Sequence, residues 1–358
     1  MPVNLALGHV SNDFLIAALV LYSLSVVAFA GDFAFGRPRR ADSAVRAQQA
    51  REPAAALATV GAASATPGEE AAKDAAAASG AAGGSAAPDS MPAPAVPALR
   101  AIGQAGPWVR AAMALAALAV AAHTAAVVTR GLAVHRAPWG NMYEFVTALT
   151  CIAAMFFLYV MVRYRAWSLG VFVMGAVVVA LGLAETVIYT AAGQLVPALQ
   201  SYWLDIHVTA MTLATGIFFV AAVLGVVYLA VDRYARRVAA GRAQPGHGIV
   251  RRLPSLEQLD RLTYRTVVFG FPVWTFGVIA GAIWADQAWG RYWGWDPVET
   301  WAFITWVLYA AFLHARATAG WRGRRAHYIQ LLGFVSLMFN ILAVQVFIAG
   351  LHSYAGLH

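Results

Sequence analysis

Eight long apolar segments constrain this chain more than any other feature of its sequence. Each has the roughly 20 mainly apolar residues that a helix needs to cross a bilayer, and they lie near 12–34, 108–130, 142–162, 167–186, 205–231, 264–285, 297–315 and 328–351. Of the 358 residues, 61% are hydrophobic and only 12% are charged, whereas an ordinary soluble domain is about 25% charged. The sequence therefore predicts an all-α integral membrane protein with about eight transmembrane helices.

The basic residues predict how these helices are oriented. They concentrate in four stretches, at 36–107, 163–165, 232–263 and 316–325, and the intervening loops carry little beyond Arg136 and Arg291. Because Lys and Arg accumulate on the cytoplasmic side, we expect a multi-pass protein of the cytoplasmic membrane with both termini outside. The net charge of +8 does not indicate nucleic-acid binding, since the basic residues form short runs between apolar segments instead of one polar face.

The composition also predicts how the chain is divided. A first transmembrane helix within 1–35, which we interpret as retained and not as a cleaved signal peptide, precedes a segment dominated by Ala, Gly, Ser and Pro. This segment, 36–107, is typical of a disordered cytoplasmic linker, and a transmembrane domain follows at 108–358. The single cysteine, Cys151, excludes an internal disulfide or a CxxC pair, so any thiol chemistry belongs to another protein.

The loop between the sixth and seventh segments is unusually rich in tryptophan. Residues 284–301, which we call the tryptophan loop, read WADQAWGRYWGWDPVETW and contain five tryptophans. An aromatic belt at the membrane interface explains one or two rings at each helix end. Five rings beside Gly290 and Gly294 favour a platform for a large, flat, apolar ligand. Asp296, Pro297 and Glu299 also have the spacing of a capping box, so we expect them mainly to start the seventh helix.

Two histidines are expected at the same membrane face as this loop. His207 lies at the outer end of the fifth helix and His352 at the outer end of the eighth. Two neutral imidazoles and an aromatic platform are what a flat macrocycle with a central iron requires. Each histidine taken singly is more often an ordinary interfacial residue, but their shared position favours ligation of haem iron.

The other histidines receive different interpretations. His314 lies near the cytoplasmic end of the seventh helix, where an ionisable group is a functional hypothesis by default, although an interfacial residue bonded to a carbonyl would look the same. His123 is also within the membrane but at another depth, so it makes a poor pair with His314. His135 fits a turn as well as a ligand, and we expect His247 and His327 to be solvated in cytoplasmic loops. His9 and His358, near the termini, are expected to have no role.

Several motifs of the chain resemble those of a known family. WGRYWGWDPVETW resembles the WWD signature of haem-handling proteins in cytochrome c biogenesis. The motifs HRAPWGNMYEF, PALQSYWLDIHV, YAAFLHAR and GLHSYAG resemble those of the CcsA family, also called CcsB or ResC, in the same order. The resemblance covers essentially all of 108–358, and it does not include the 36–107 linker.

The resemblance implies a function in cytochrome c assembly. Such proteins work with a membrane partner of the Ccs1/ResB family, move haem b across the membrane and present it for thioether attachment to the CxxCH segment of apocytochrome c. This chain would then be part of a cytochrome c haem lyase (synthetase) that acts by positioning haem, and a thioredoxin-like protein would supply the thiol reductant.

The resemblance also implies roles for particular residues. His207 and His352 would be the outer ligands of the haem iron, and His314 a ligand within the membrane whose opposite ligand comes from the partner chain. The tryptophan loop would hold the haem and expose its vinyl edge, with Trp293, Trp295 and Asp296 presenting it. The remaining residues implied in haem binding are Trp289, Tyr292, Gly294, Glu299 and Trp301.

Three alternatives remain open at this level. The first is a haem delivery protein of the CcmC or CcmF type, although eight helices and the PALQSYWLDIHV motif favour CcsA. The second is a membrane b-type cytochrome that passes electrons, which would need histidine pairs at equal depth inside the bundle. The third is a transporter that uses the tryptophan loop only as an interfacial anchor.

Overall fold

The computed structural model describes residues 3–36, 102–103, 105–193, 201–244 and 249–352. Within these ranges the chain forms no strand and eight long helices: α1 Leu5–Phe35, α2 Pro107–Val134, α3 Met142–Tyr164, α4 Gly170–Val187, α5 Tyr202–Ala239, α6 Leu256–Trp289, α7 Pro297–Ala317 and α8 Arg324–Phe339. A 3-10 turn at Trp167–Leu169 precedes α4, and α8 continues through a π-helical segment, Asn340–Val344, into Gln345–Phe347. Counted as Trp167–Val187 with the 3-10 turn and as Arg324–Val344 with the π-helical segment, α4 and α8 join the other six helices in being long and apolar enough to cross a membrane. This confirms the predicted fold class.

Side-chain caps mark several helix starts. Asn4, Asn141 and Ser255 accept hydrogen bonds from backbone N–H groups in the first turns of α1, α3 and α6, at 3.1, 2.9 and 3.2 Å. The capping box predicted for α7 is present. Asp296 Oδ1 accepts from Val298 N at 3.1 Å, and Glu299 Oε2 accepts from Asp296 N at 3.0 Å. These bonds satisfy N–H groups that have no partner within the helix.

Consecutive helices run in opposite directions, so the bundle has two distinct ends. We call the end with residues 134–142, 289–297 and 347–352 the tryptophan end, and the opposite end, where α5 and α7 finish, the arginine end. One apolar core is formed by the four helices α1, α2, α3 and α4 together with one side of α5. A second core is formed mainly by the four helices α5, α6, α7 and α8. Helix α5 therefore lies at the centre of the bundle. It approaches α3 closely at Gly216, where a Cβ atom would lie 2.8 Å from the carbonyl oxygen of Leu149.

One histidine prediction was wrong. His327 is not solvated in a loop, because α8 begins earlier than expected and includes it. Its side chain is only 1% exposed, and its ring stacks on Tyr228 with a centroid distance of 3.8 Å. The Nε2 atom lies 3.2 Å from Oδ1 of Asp260, which also pairs with Arg316 at 2.7 Å. The arginine-rich stretch before the predicted eighth segment is thus followed directly by a buried ionisable residue, His327.

Other predictions concern residues outside the described ranges. These are most of the proposed 36–107 linker, His247 and His358, together with the first part of the PALQSYWLDIHV motif. The division into a first helix, a linker and a domain at 108–358 stays a prediction. Helix α1 itself packs along α2 and α4.

Candidate functional site

A partly open cavity of about 210 Å³ lies at the tryptophan end, lined by residues of α3, α5, α6, α7 and α8 and of the turns beside them. Most of its wall is apolar or aromatic, and includes Met142, Phe145, Met211, Trp274, Val278 and Leu337. A few polar groups interrupt this lining, which is the usual composition of a small-molecule site. The cavity brings together residues that are distant in sequence, among them His207 and His352.

His207 and His352 both contact one indole ring in this cavity, that of Trp284. The His207 ring is nearly parallel to Trp284, at 7° and a centroid distance of 6.4 Å. The His352 ring meets the same indole edge-on at 6.1 Å and also contacts Trp289 at 5.0 Å. The two predicted ligands therefore share one aromatic wall.

The position of His207 is set by helix α6. Its Nδ1 atom lies 2.7 Å from the carbonyl oxygen of Gly277, so the ring nitrogen donates to a backbone acceptor. Gly281, one turn further along α6, gives the imidazole its space. A Cβ atom at this glycine would lie 2.6 Å from both Cε1 and Nδ1 of His207, which is too close for any larger residue.

The position of His352 is set by the first residue of the capping box. Its Nδ1 atom donates to Oδ1 of Asp296 at 2.8 Å, and Leu351 N donates to Oδ2 of the same carboxylate at 2.8 Å. Burial would raise the pKa of the Asp296 carboxyl, but the hydrogen bonds from His352, Leu351 N and Val298 N hold it below its usual value. Asp296 is therefore ionised at neutral pH while it holds the chain after α8.

Both histidines use Nδ1 in the same way, and this leaves Nε2 for a ligand. When Nδ1 carries the proton and donates it to an oxygen, Nε2 keeps the lone pair that binds a metal. A carbonyl or carboxylate behind a ligating imidazole is the ordinary arrangement in metal sites. The donor set thus fits an iron that takes one neutral nitrogen on each side.

Several polar atoms of the cavity wall have no partner among the residues that the structure describes. They are the indole N–H groups of Trp139, Trp274 and Trp284, Oε1 of Glu299 and Oδ1 of Asn340. Trp274 and Trp284 are 1% and 2% exposed. Buried polar groups are nearly always hydrogen-bonded, so this wall is suited to a ligand that has polar groups as well as a large apolar body.

The tryptophan loop contributes unequally to the cavity. Trp289, Tyr292, Trp293 and Glu299 line it, while Trp295 is 64% exposed and packs edge-on against Trp293 and Phe303 at 5.6 and 5.9 Å. Trp295 also has a φ of 58°, a conformation that is rare for bulky residues and concentrates at functional sites.

The other loop residues support this arrangement. Gly294 N donates to Oε2 of Glu299 at 2.9 Å, which fixes the turn between Trp293 and Trp295. Trp301 packs on Phe339 of α8 at a centroid distance of 4.4 Å, outside the cavity lining. The structure therefore brings only part of the predicted haem-binding set to the cavity wall. Trp301 instead packs α7 against α8.

The remaining histidines lie away from the cavity. His314 is exposed on α7 near the arginine end, so it does not join His207 and His352. His135 is the left-handed residue that ends α2, with φ of 52°, which favours the turn interpretation. His123 is fully buried, and its Nδ1 lies 3.4 Å from the hydroxyl of Tyr22 on α1.

One part of the cavity wall was missed by sequence reasoning. The turn before α3 contributes Trp139, Gly140 and Asn141 to the lining, and the buried carboxylate of Glu144 holds this turn. It accepts from Arg130 Nε at 3.1 Å, Arg136 Nη1 at 2.7 Å and Gly140 N at 2.9 Å. The sequence did carry a signal for this turn. Glu144 is an acidic residue inside an apolar segment, and such residues are candidates for a functional role by default.

Comparison with known proteins gives consistent matches. The model of the family described as "Cytochrome C assembly protein" matches residues 139–352, a range that begins and ends with residues of the cavity wall. The chain is 37% identical over 238 residues to "Cytochrome c biogenesis protein CcsA" of Guillardia theta, which covers 62% of this chain and 77% of that protein. It is 34% identical over 305 residues to the protein of the same name in Gloeothece citriformis, covering 73% and 89%.

The fold also resembles a solved structure, "Cytochrome c Heme Lyase CcmF", with a TM-score of 0.57 and 17% identity over 95% of this chain. The match covers 47% of that larger protein, and at this identity it shows a shared fold alone. The sequence matches extend over more than half of this chain and more than two thirds of the relatives' length. On these grounds, the chain belongs to the CcsA family of cytochrome c biogenesis proteins.

Proposed function

We propose that this chain serves cytochrome c biogenesis by holding haem b in the cavity at the tryptophan end and presenting its vinyl edge to apocytochrome c. His207 and His352 bind the iron from opposite sides through Nε2. The observation that carries this proposal is the matched pair of Nδ1 hydrogen bonds, to Gly277 O at 2.7 Å and to Asp296 Oδ1 at 2.8 Å. These bonds orient two imidazoles of the correct tautomer toward one aromatic cavity.

The reaction that this arrangement favours is addition of two thiols to two vinyl groups. A thiolate sulfur of the CxxCH segment bonds to the inner vinyl carbon, and a proton is added to the terminal carbon. Thiolates are the effective nucleophiles, and they come from the substrate, because the only cysteine of this chain, Cys151, is buried in the bundle. A thioredoxin-like reductant keeps the substrate thiols reduced. The protein contributes proximity and orientation, which are worth about 7–11 kcal/mol in favourable cases.

The surface of the tryptophan loop suits a large soluble substrate. Tyr292 and Trp295 are 61% and 64% exposed beside the cavity, and the arginine-poor loops predict that this end faces outward across the cytoplasmic membrane. Apocytochrome c can therefore reach the vinyl edge from the extracytoplasmic side. The substrate's own histidine then displaces one axial ligand and releases the product.

His314 is assigned to an earlier step, the passage of haem through the membrane. It is exposed on the outside of the bundle near the arginine end, where it can share a haem with a second chain. A membrane partner of the Ccs1/ResB family supplies the opposite ligand. Haem then moves from the cytoplasmic side to the cavity.

Absorption spectroscopy of the purified protein, co-expressed with its partner, tests the central claim. We expect a low-spin haem spectrum that weakens or shifts in both His207→Ala and His352→Ala, while His9→Ala, an exposed histidine on α1, leaves it unchanged. Haem that is indifferent to both substitutions, or no haem at all, would exclude the two-histidine site.

A further inference from the structure

The two proposed ligands of the haem iron lie in different kinds of structure. His207 lies in the second turn of α5, the helix that belongs to both apolar cores. His352 lies beyond the end of α8, where Gln345–Phe347 is the last helical piece and Ile348 has extended backbone angles of −111° and 115°. We call the non-helical segment 348–352 the histidine arm.

The apolar side chains of the arm are not packed into the bundle. Ile348 and Leu351 are 43% and 37% exposed, and Ala349 and Gly350 between them are exposed as well. Burial of apolar surface is the dominant favourable contribution to folding. The arm gains little of this contribution where it lies.

Polar contacts of the arm converge on the carboxylate of Asp296. Its Oδ1 atom accepts from His352 Nδ1 and its Oδ2 atom accepts from Leu351 N, both at 2.8 Å. A Cβ atom at Gly350 would lie 2.6 Å from Oδ2, so the backbone of the arm rests directly on the same group. Segments with exposed side chains and few buried contacts open at a lower free-energy cost than the helices of a core.

His207 is held much more firmly than His352. Its Nδ1 atom is bonded to Gly277 O at 2.7 Å, and its ring lies nearly parallel to the indole of Trp284. A Cβ atom at Gly281 would lie 2.6 Å from the ring, so the imidazole fills the space between α5 and α6. Releasing His207 from an iron would therefore cost close packing between two helices as well as the hydrogen bond.

We propose that His352 is the exchangeable ligand of the haem iron, and that the histidine of the CxxCH segment takes its place from the side of the histidine arm. This inference rests on the proposed function and adds to it the order of events at the iron. When the arm opens, the bond from iron to Nε2 of His352 breaks, and a bond from iron to the substrate imidazole forms. Both imidazoles bind as neutral donors, so no proton is transferred and the iron keeps its oxidation state.

The exchange also assigns one side of the haem to the substrate. With His207 still bound, the haem stays attached to α5 while the thioether bonds form, and the substrate occupies the opposite face of the macrocycle. The His352 side chain is 20% exposed, so this face can be reached from outside the bundle.

Binding of a peptide to haem-loaded variants tests which ligand is exchanged. The probe is a CxxCH peptide with both cysteines replaced by serine, which can bind iron but cannot form a thioether. In the wild type the peptide competes with His352, so its apparent affinity is reduced to the fraction of molecules in which the arm is open. We expect His352→Gly to bind the peptide about tenfold more tightly than the wild type, as for an open fraction of about one tenth. His207→Gly leaves its vacancy between α5 and α6 and should gain no affinity.

Two controls show that both glycine variants still hold haem correctly. Imidazole, which is small enough to fill the space of a missing histidine side chain, should restore a low-spin spectrum in both. The same peptide with alanine in place of its histidine should bind to neither.

Gly350→Ala tests the arm while both ligands are kept. The added methyl group would lie 2.6 Å from Oδ2 of Asp296, so it should push the arm away from this carboxylate. We expect the peptide to bind about tenfold faster in stopped-flow absorption, because the open fraction rises. Gly175→Ala on α4, which meets no atom within 4 Å, is the matched control and should exchange as the wild type does.

Three results would overturn the proposal: affinity gained in His207→Gly as much as in His352→Gly, affinity gained in neither, or exchange at the wild-type rate in Gly350→Ala. Each of them can occur with the haem spectrum still dependent on both histidines, and the proposed function then stands without this inference. A wild-type protein that holds no haem, or whose haem is indifferent to both histidines, rejects the proposed function and this inference with it.

Discussion

Nδ1 of His352 donates a hydrogen bond of 2.8 Å to the carboxylate of Asp296, across 56 residues of sequence. The same carboxylate accepts from Leu351 N at 2.8 Å and from Val298 N at 3.1 Å. One side chain therefore caps the start of α7, holds the segment after α8 and fixes the tautomer of a predicted iron ligand. The helix start and the candidate site are a single structural unit.

This relationship predicts a loss of haem affinity in Asp296→Asn. Asparagine is as good a cap as aspartate, so α7 should still begin at the same residue. The amide is neutral and cannot accept from both His352 and Leu351 N in the same way, and loss of such a supporting partner typically costs about 10–100-fold in metal affinity. Titration of the purified variant with haem, followed by absorption, measures the change.

The control for this variant is Asp286→Asn, which removes a carboxylate from the last turns of α6 at the same end of the bundle. It should bind haem as the wild type does. Equal affinity in Asp296→Asn and the wild type would mean that the hydrogen bond to His352 does not support the ligand.

Gly281→Ala should displace the His207 ring while leaving the imidazole side chain itself in the protein. The added methyl group would lie 2.6 Å from the imidazole, so the ring must rotate away or α6 must shift. We expect haem binding to fall by about tenfold, or about 1.4 kcal/mol, with a changed spectrum. Gly182→Ala on α4 meets no atom within 4 Å and should bind normally. A normal spectrum in Gly281→Ala would remove His207 from the ligand set.

Glu144→Ala tests the buried charge cluster behind the Trp139 turn. Its loss leaves Arg130 and Arg136, whose side chains are 5% and 13% exposed, without their shared carboxylate. Breaking a buried ion pair typically costs about 3–5 kcal/mol, so chemical or thermal unfolding in detergent should show a large loss of stability. Haem binding should weaken with it, since this turn forms part of the cavity wall.

Glu257→Ala provides the comparison, because its carboxylate is 77% exposed and pairs with Arg261 only one turn away. Exposed pairs of this kind contribute about 0.3–0.5 kcal/mol. A similar, small effect in both variants would show that the Glu144 cluster is not important for stability.

His314→Ala should separate haem delivery from haem binding. In cells with the partner protein, we expect less haem in the purified protein, because the proposed ligand within the membrane is lost. Haem added to the purified variant should bind at the cavity with wild-type affinity, since His314 lies near the opposite end of α7. Full haem content after expression, or weak binding of added haem, would contradict this separation of roles.

The fold class was predictable because the signals for it are local. Twenty apolar residues in a row require a helix in a bilayer, and the eight segments match eight helices. The capping box at Asp296 and Glu299 was equally predictable from the sequence, since it depends on two residues that are three positions apart. The placement of His207 and His352 at one end followed from counting helices.

The tertiary structure decided which helices meet and which polar groups find partners. His327 looked solvated beside arginines in the sequence, yet its burial depends on where α8 begins and on Tyr228 and Asp260 from two other helices. The Trp139 turn is held beside the cavity by Glu144, which accepts from Gly140 N and pairs with Arg130 and Arg136. Hydropathy shows that a residue lies in the membrane, but its neighbours are set by side-chain packing between helices, and that information is not local in the chain.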